Sequence, residues 1–298
     1  MRLVDQAVSW WDKSVAWARQ VSWFDHLWRT KERFADVHAG RMAAAISYYG
    51  FFATFSLALL AFSIFGFVLD NPDVVKAVEE WLAENLPFLD VAKIQGARNT
   101  VGIFGLVGFL LTGIGWVEAM RASIRAVWLL DQNPGNYFIR RGVDIVVLIG
   151  LGLLLAASIG FSVGAQAGLA WLRDHVTFGW LAPVFSGLSV LVAVAINWFL
   201  AAAMLTMLPR LKMPLARWLP AGLVVAVGLE LLKTVGQFYI TRVGGNPAYQ
   251  VVAGTVGLLV FLNLFSQLLL WGSTLAATSS RGVVRDLAAG PGQEPIVA

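Results

Sequence analysis

The sequence predicts an all-α polytopic membrane protein with six transmembrane helices, an N-terminal interfacial helical region and an amphipathic outer-face connection between helices 1 and 2. Three observations carry that expectation. Of 298 residues, 58% are hydrophobic and 13% charged, against roughly 25% charged residues in a soluble domain. Mean hydropathy is +0.71. Several apolar stretches reach the ~20 residues that a spanning helix needs.

Residues 1–42 form the first region. Trp10, Trp11, Trp17, Trp23 and Trp28 lie among Arg, Lys and Asp. Trp10, Trp17, Val21, Phe24 and Trp28 follow helical spacing, so this region reads as one or two amphipathic helices in the headgroup layer. An anchor beneath the bundle and a ligand-binding role are both open to it.

Residues 43–278 form the transmembrane domain, with spans at about 43–69, 101–118, 143–166, 182–208, 218–240 and 249–277. Turn-forming residues separate them: Asn71-Pro72, Asn133-Pro134-Gly135, Pro209, Pro214 and Gly244-Gly245-Asn246-Pro247. In the last cluster Asn246 suits a helix cap and Pro247 the first helical position. The second span is short and carries Gly102, Gly105, Gly108, Gly113 and Gly115, which fits either an irregular or a closely packed helix.

The connection 70–100 places Val74, Val75, Val78, Trp81, Leu82 and Leu86 on one stripe, with Glu79, Glu80, Glu84 and Asp90 beside it. That pattern predicts an amphipathic helix or hairpin on the outer surface, serving as a connector or as a lid over an opening. Residues 279–298 read as a cytoplasmic tail, disordered from Gly290.

Lys and Arg set the orientation. Sixteen of the 22 fall in residues 1–42, in the 119–142 and 209–217 connections and in the tail. The positive-inside rule places those segments, and both termini, in the cytoplasm. The same rule accounts for the basic net charge of +4 without nucleic acid.

Enzymatic chemistry finds no support. There are no cysteines, and His26, His38 and His175 are far apart. No Walker A loop, G-x-G-x-x-G, H-E-x-x-H or S-x-x-K occurs. Gly160-Phe161-Ser162-Val163-Gly164 matches the hydrolase G-x-S-x-G, but that elbow needs a strand–turn–helix setting. Inside a span, Gly160, Gly164 and Gly168 instead form a small-residue packing row. The expectation is a non-enzyme with neither cofactor nor metal.

Polar residues inside the spans are the candidates for function. Glu230, Lys233, Thr234 and Gln237 recur at three or four and share one helical face. Asn263, Ser266, Gln267 and Thr274 share a face of the sixth span, which the fifth is expected to meet. Asn197 lies within the fourth span, and Glu118 ends the second. Each central ion costs about 2.5–3.5 kcal/mol on insertion scales. The candidate substrate-binding set is Glu230, Lys233, Gln237, Asn263, Gln267 and Asn197. A basic cytoplasmic rim of Arg121, Arg125, Arg140, Arg141, Arg210 and Lys212 accompanies it. Two readings of the Glu230–Lys233 pair stay open. In one it is a neutralised pair that fixes helix register; in the other it lines a hydrated cavity where Lys233 meets an anionic headgroup.

Several motifs, in order, carry a resemblance. Ala43-Ala44-Ala45-Ile46-Ser47-Tyr48-Tyr49 with Phe55-Ser56-Leu57, the stretch from Ala122 to Trp128, Leu208-Pro209-Arg210 with Trp218 to Gly222, and Glu230, Lys233 and Tyr239 are the matching parts. Together they resemble the YihY/BrkB (YhjD-like) family of bacterial inner-membrane proteins, once mislabelled as ribonuclease BN. The family's Asn after Ala-Leu is replaced in Ala122-Ser123-Ile124-Arg125, and the acidic residue near Thr274 is absent. The resemblance implies a six-helix protein of envelope integrity that moves a lipid or lipopolysaccharide precursor. Membrane lipids are then the expected partners. A non-transporting scaffold that contacts envelope-assembly proteins is the alternative, and ribonuclease activity lacks a matching residue set.

Overall fold

A computed structural model describes residues 15–68, 91–150, 152–153, 182–243, 247–288 and 296. The expectations for residues 1–14, for 69–90, for the Gly160–Gly164–Gly168 row, for Asn246 and for the end of the tail lie outside these residues. The described helices are α1 (Ser22–Asp36), α2 (Ala39–Val68), α3 (Val91–Val127), α4 (137–150), α5 (Ala182–Thr206), α6 (Leu215–Val243) and α7 (Pro247–Ala277). A two-residue strand β1 (Leu211–Lys212) pairs antiparallel with β2 (Arg285–Asp286).

Four described helices contain stretches long and apolar enough to cross a membrane: Ala39–Ile64, Asn99–Val127, Leu215–Gly236 and Gly254–Ala277. A shorter apolar stretch, Val194–Thr206, lies on α5. The helical membrane class therefore stands, with four such helices among the described residues; most of the third expected span, 143–166, lies outside them. Pro247 opens α7, where its missing N–H is harmless.

The second span differs most from expectation. Residues 91–100, assigned to the outer connection, are helical and continuous with it, and the helix runs on to Val127. Arg121 and Arg125 are thus helical residues. The helix stops there because Leu129 adopts φ 56° and Leu130 N–H bonds Arg125 O at 3.0 Å, closing the last turn.

The glycines of α3 let it lie close against α2. A Cβ on Gly105 would fall 2.7 Å from Leu60 N and 3.1 Å from Leu59 C, atoms of a helix backbone that cannot swing aside. Gly105→Leu is expected to push α2 and α3 apart and lower the Tm of the purified protein in detergent by several degrees. Gly150→Leu, where a Cβ would meet no atom within 4 Å, should leave the Tm unchanged; equal Tm values for both variants would refute this packing.

Packing runs from α3 to α2, from α2 to α7, from α7 to α6 and from α6 to α5. The buried core gathers toward one end of this arc. Ala39, Ala43 and Ile46 of α2 meet Met120, Ile124 and Val127 of α3, Leu205 and Leu208 at the end of α5, Ala221 and Val225 of α6, and Leu269 and Leu270 of α7. Along α6, Leu229 is the last buried side chain among those described. Helix α1 docks at the same end. Thr30 Oγ1 lies 3.0 Å from Thr278 Oγ1, His26 Nε2 lies 3.0 Å from Leu275 O, and Phe34 stacks on Trp271. Trp17 and Trp23 stay exposed.

Candidate functional site

Glu230 stands midway along the 29-residue α6, one residue past Leu229, where the buried core gives out. Asn197 of α5, itself buried, bridges the charged pair. Its Nδ2 donates to Glu230 Oε1, and its Oδ1 accepts from Lys233 Nζ at 3.2 Å. Lys233 Nζ also donates to Glu230 Oε1 at 3.2 Å. The amide dipole thus lies between carboxylate and ammonium with each end against the opposite charge. Thr234 Oγ1 donates back to Glu230 O, as a helical Thr commonly does. The pair is not sealed: the Lys233 side chain is 47% exposed and that of Glu230 28%. An ammonium has three donors, so Lys233 keeps one beyond the two it uses here.

The polar face of the sixth span does not join this cluster. Gln267 Nε2 donates to Asn263 Oδ1 at 2.6 Å, and Asn263 Nδ2 to Ser47 Oγ of α2 at 3.4 Å. Ser266 and Thr274 donate to carbonyls four residues back, Leu262 O and Leu270 O. Helices α6 and α7 meet instead through small residues, with Gly272 against Val225 and Gly228 against Leu268. The expected single stripe is therefore two clusters, because Glu230 and Lys233 turn toward α5 while Asn263 turns toward α2. The side chain of Gln237 lies outside those described.

The expected basic rim is largely a closed knot. Arg121 is buried and forked onto Asp144 of α4, with Nε to Oδ1 at 2.9 Å and Nη2 to Oδ2 at 3.1 Å. Arg125, 1% exposed, forks onto Asp286 of β2 at 2.9 and 2.7 Å. It also donates to Asp131 O and Pro209 O. Between these side chains only about 10 Å³ stays empty, room for one water. Arg141 pairs with Glu118, Arg140 donates to Asn133 O, and both lie over Tyr137. Lys212 is exposed. Arg210 takes φ 57°, a conformation costing a non-glycine residue of order 1–3 kcal/mol, while its carbonyl accepts Leu287 N–H. Burial pushes the Asp286 carboxyl up, but the Arg125 hydrogen bonds, the Ala288 N–H and the charges of Arg125 and Arg210 outweigh it. Its pKa lies below the usual carboxylate value. Residues 281–288, which precede the part of the tail expected to be disordered, are clamped onto the loop after α5.

A cleft of about 260 Å³ lies at the same end, where α1 and the turn at 279–281 meet α6 and α7. Trp23, Leu27 and Leu275 form apolar wall, and Arg217, Ser279 and Arg281 supply polar groups.

Residues 30–296 match the family model described as Virulence factor BrkB. The chain belongs to the BrkB family. An uncharacterised protein of Dickeya dadantii is 27% identical over 280 residues, covering 88% of this chain and 85% of that one. The inner membrane protein YhjD of Escherichia coli is 27% identical over 273 residues, covering 85% and 80%. A UPF0761 membrane protein of Ralstonia nicotianae is 25% identical over 271 residues, covering 84% of this chain but 58% of its own length. No solved structure matches. The BrkB match takes in α1 from Thr30 onward, every later helix described, the β1–β2 pair and the separate Val284–Ile296 bridge.

In this BrkB protein the structure adds three groups that the sequence does not single out. Asp144 sits at the start of an apolar segment, and an acid within reach of the basic 119–142 connection is the available signal. Asp286 offers none, being 161 residues from its partner. Arg217 registers in the sequence only as a topology charge.

Proposed function

We propose that this BrkB-family protein holds an anionic amphiphile, a membrane lipid or lipid precursor, against Asn197, Glu230 and Lys233, and passes it across the bacterial inner membrane. One observation carries the reading. A lysine midway along an apolar helix of spanning length is bridged to a glutamate, yet keeps nearly half its side chain exposed. Intramembrane charges ordinarily face a pathway or a wet cavity, since lipid exposure is costly. Lys233 supplies the attraction for a headgroup, and Glu230 holds the ammonium in place when the site is vacant. The reading is non-catalytic and needs no cofactor. The positive-inside asymmetry supports cytoplasmic termini, and the naming of YhjD as an inner membrane protein supports the location.

The bridge through Asn197 favours a second reading, in which the triad only locks α5 to α6 for a scaffold role. Binding separates the two. With protein purified in detergent, native mass spectrometry should find one more phosphatidylglycerol retained on the wild type and on Glu230→Gln than on Lys233→Met. Under the scaffold reading Lys233→Met lowers the Tm and leaves lipid retention unaltered, and that result would sink the proposal.

A further inference from the structure

Among the described residues three arginines are buried at the basic end of the bundle, and two of them are neutralised. Arg121 has Asp144 and Arg125 has Asp286, each in a two-pronged fork. Arg217 of α6 is equally buried, with 2% of its surface exposed. It donates Nε to Arg281 O and Nη2 to Gly282 O, both at 2.8 Å. Its Nη1 has no partner, and among the described residues no carboxylate pairs with it. Guanidinium is always charged, and an uncompensated buried charge is expensive. Two carbonyls do not supply the missing negative charge.

A cleft gives that charge a way in. Arg217 lines the cavity of about 260 Å³, together with Arg281, Ser279 and the apolar side chains of Trp23, Leu27 and Leu275. Arg281 is exposed and has no ion pair among the described residues. Arg217 is in the first turn of α6, where the helix's own N–H groups add positive potential. One end of the cleft is thus cationic and its wall greasy, beneath a helix whose exposed Trp suits the headgroup layer.

We infer that this cleft binds a phosphate-type anion as the counter-ion of Arg217, and that its apolar wall receives the chain to which the phosphate is attached. Arginine's planar fork suits phosphate oxygens, with one fork edge committed to the 281–282 carbonyls and Nη1 left for the ligand. The site is separate from the Asn197–Glu230–Lys233 cluster and does not rest on its transport role.

The full chain in detergent tests it, in a Lys233→Met background so that the other cluster does not contribute. Calorimetric titration uses dihexanoyl phosphatidic acid, dihexanoyl phosphatidylcholine and inorganic phosphate as separate probes. Phosphatidic acid should bind more tightly than either other probe. Ser279→Asp, which places a carboxylate in the cleft, should weaken that binding at least about tenfold, the scale of a hydrogen bond to a charged group, with the Tm held or raised. Arg281→Ala, which removes an exposed side chain only, should weaken it severalfold. Leu27→Ala should weaken the lipid but not inorganic phosphate. Phosphate binding as tightly as the lipid, with Leu27→Ala silent, would overturn the amphiphile and leave a free-phosphate site. Unchanged phosphatidic acid binding in both Ser279→Asp and Arg281→Ala would overturn the site altogether.

Discussion

Asp286→Ala is expected to destabilise the protein by about 3–5 kcal/mol, the cost of removing one partner from a buried pair. The substitution leaves the Arg125 guanidinium inside the core with only the carbonyls of Asp131 and Pro209. It also frees the strand pair that holds Arg210 in its strained conformation. The expected readout is a large fall in detergent Tm and early proteolysis after residue 279. Replacing both partners, Arg125→Met with Asp286→Leu, should recover much of the loss, because neither position then leaves an unpaired buried charge. The pair also gives a pH dependence. The folded carboxyl titrates below its unfolded value, so its contribution is fully present above the unfolded pKa of about 4. It is lost as pH falls through the lower folded value. Wild-type Tm should therefore drop on acidification below about pH 4, and Asp286→Ala should lack that component. A Tm for Asp286→Ala equal to wild type would contradict the knot.

Lys233→Met is expected to abolish flux of an anionic lipid while leaving the fold intact. Lys233 lies beyond the last described buried residue of α6, so its removal opens no cavity, and methionine keeps much of the stem. Glu230 then stays hydrogen-bonded to Asn197 but has no cation, so an incoming headgroup meets a lone carboxylate and is repelled. Asn197→Leu should act differently. Asn197 is buried between the two charges, and its loss breaks both hydrogen bonds at once. That variant should lose Tm as well as flux.

The helices are legible in the amino-acid sequence because a spanning helix needs length and greasiness, both local properties. Glu230 and Lys233 stand out because charge in such a run is expensive wherever the chain goes. Their partner is less accessible. Asn197 is visible as a polar residue in a span, but three-residue spacing says which residues share a face and not which neighbouring helix that face meets. The basic rim misleads for a related reason. Counting Lys and Arg measures topology, and treats every charge as solvated. Arg121 and Arg125 are four apart on one face of α3 with Val117 and Ile124 around them, a pattern that favours burial. Their carboxylates come from α4 and β2, and a lone Asp286 in a short tail announces no clamp. The extra length of α3 is hidden because Arg98 and Asn99 look like the edge of a connector, although neither residue ends a helix.

Whether Lys233 serves an anionic lipid, rather than merely joining α5 to α6, is tested most directly by reconstitution into liposomes carrying fluorescent phosphatidylglycerol in one leaflet. The expected result is transbilayer movement with wild type, none above protein-free liposomes with Lys233→Met, and the same Tm for both proteins. Equal flux from wild type and Lys233→Met, or a wild-type rate no greater than that of protein-free liposomes, would contradict a lipid-handling role for this lysine.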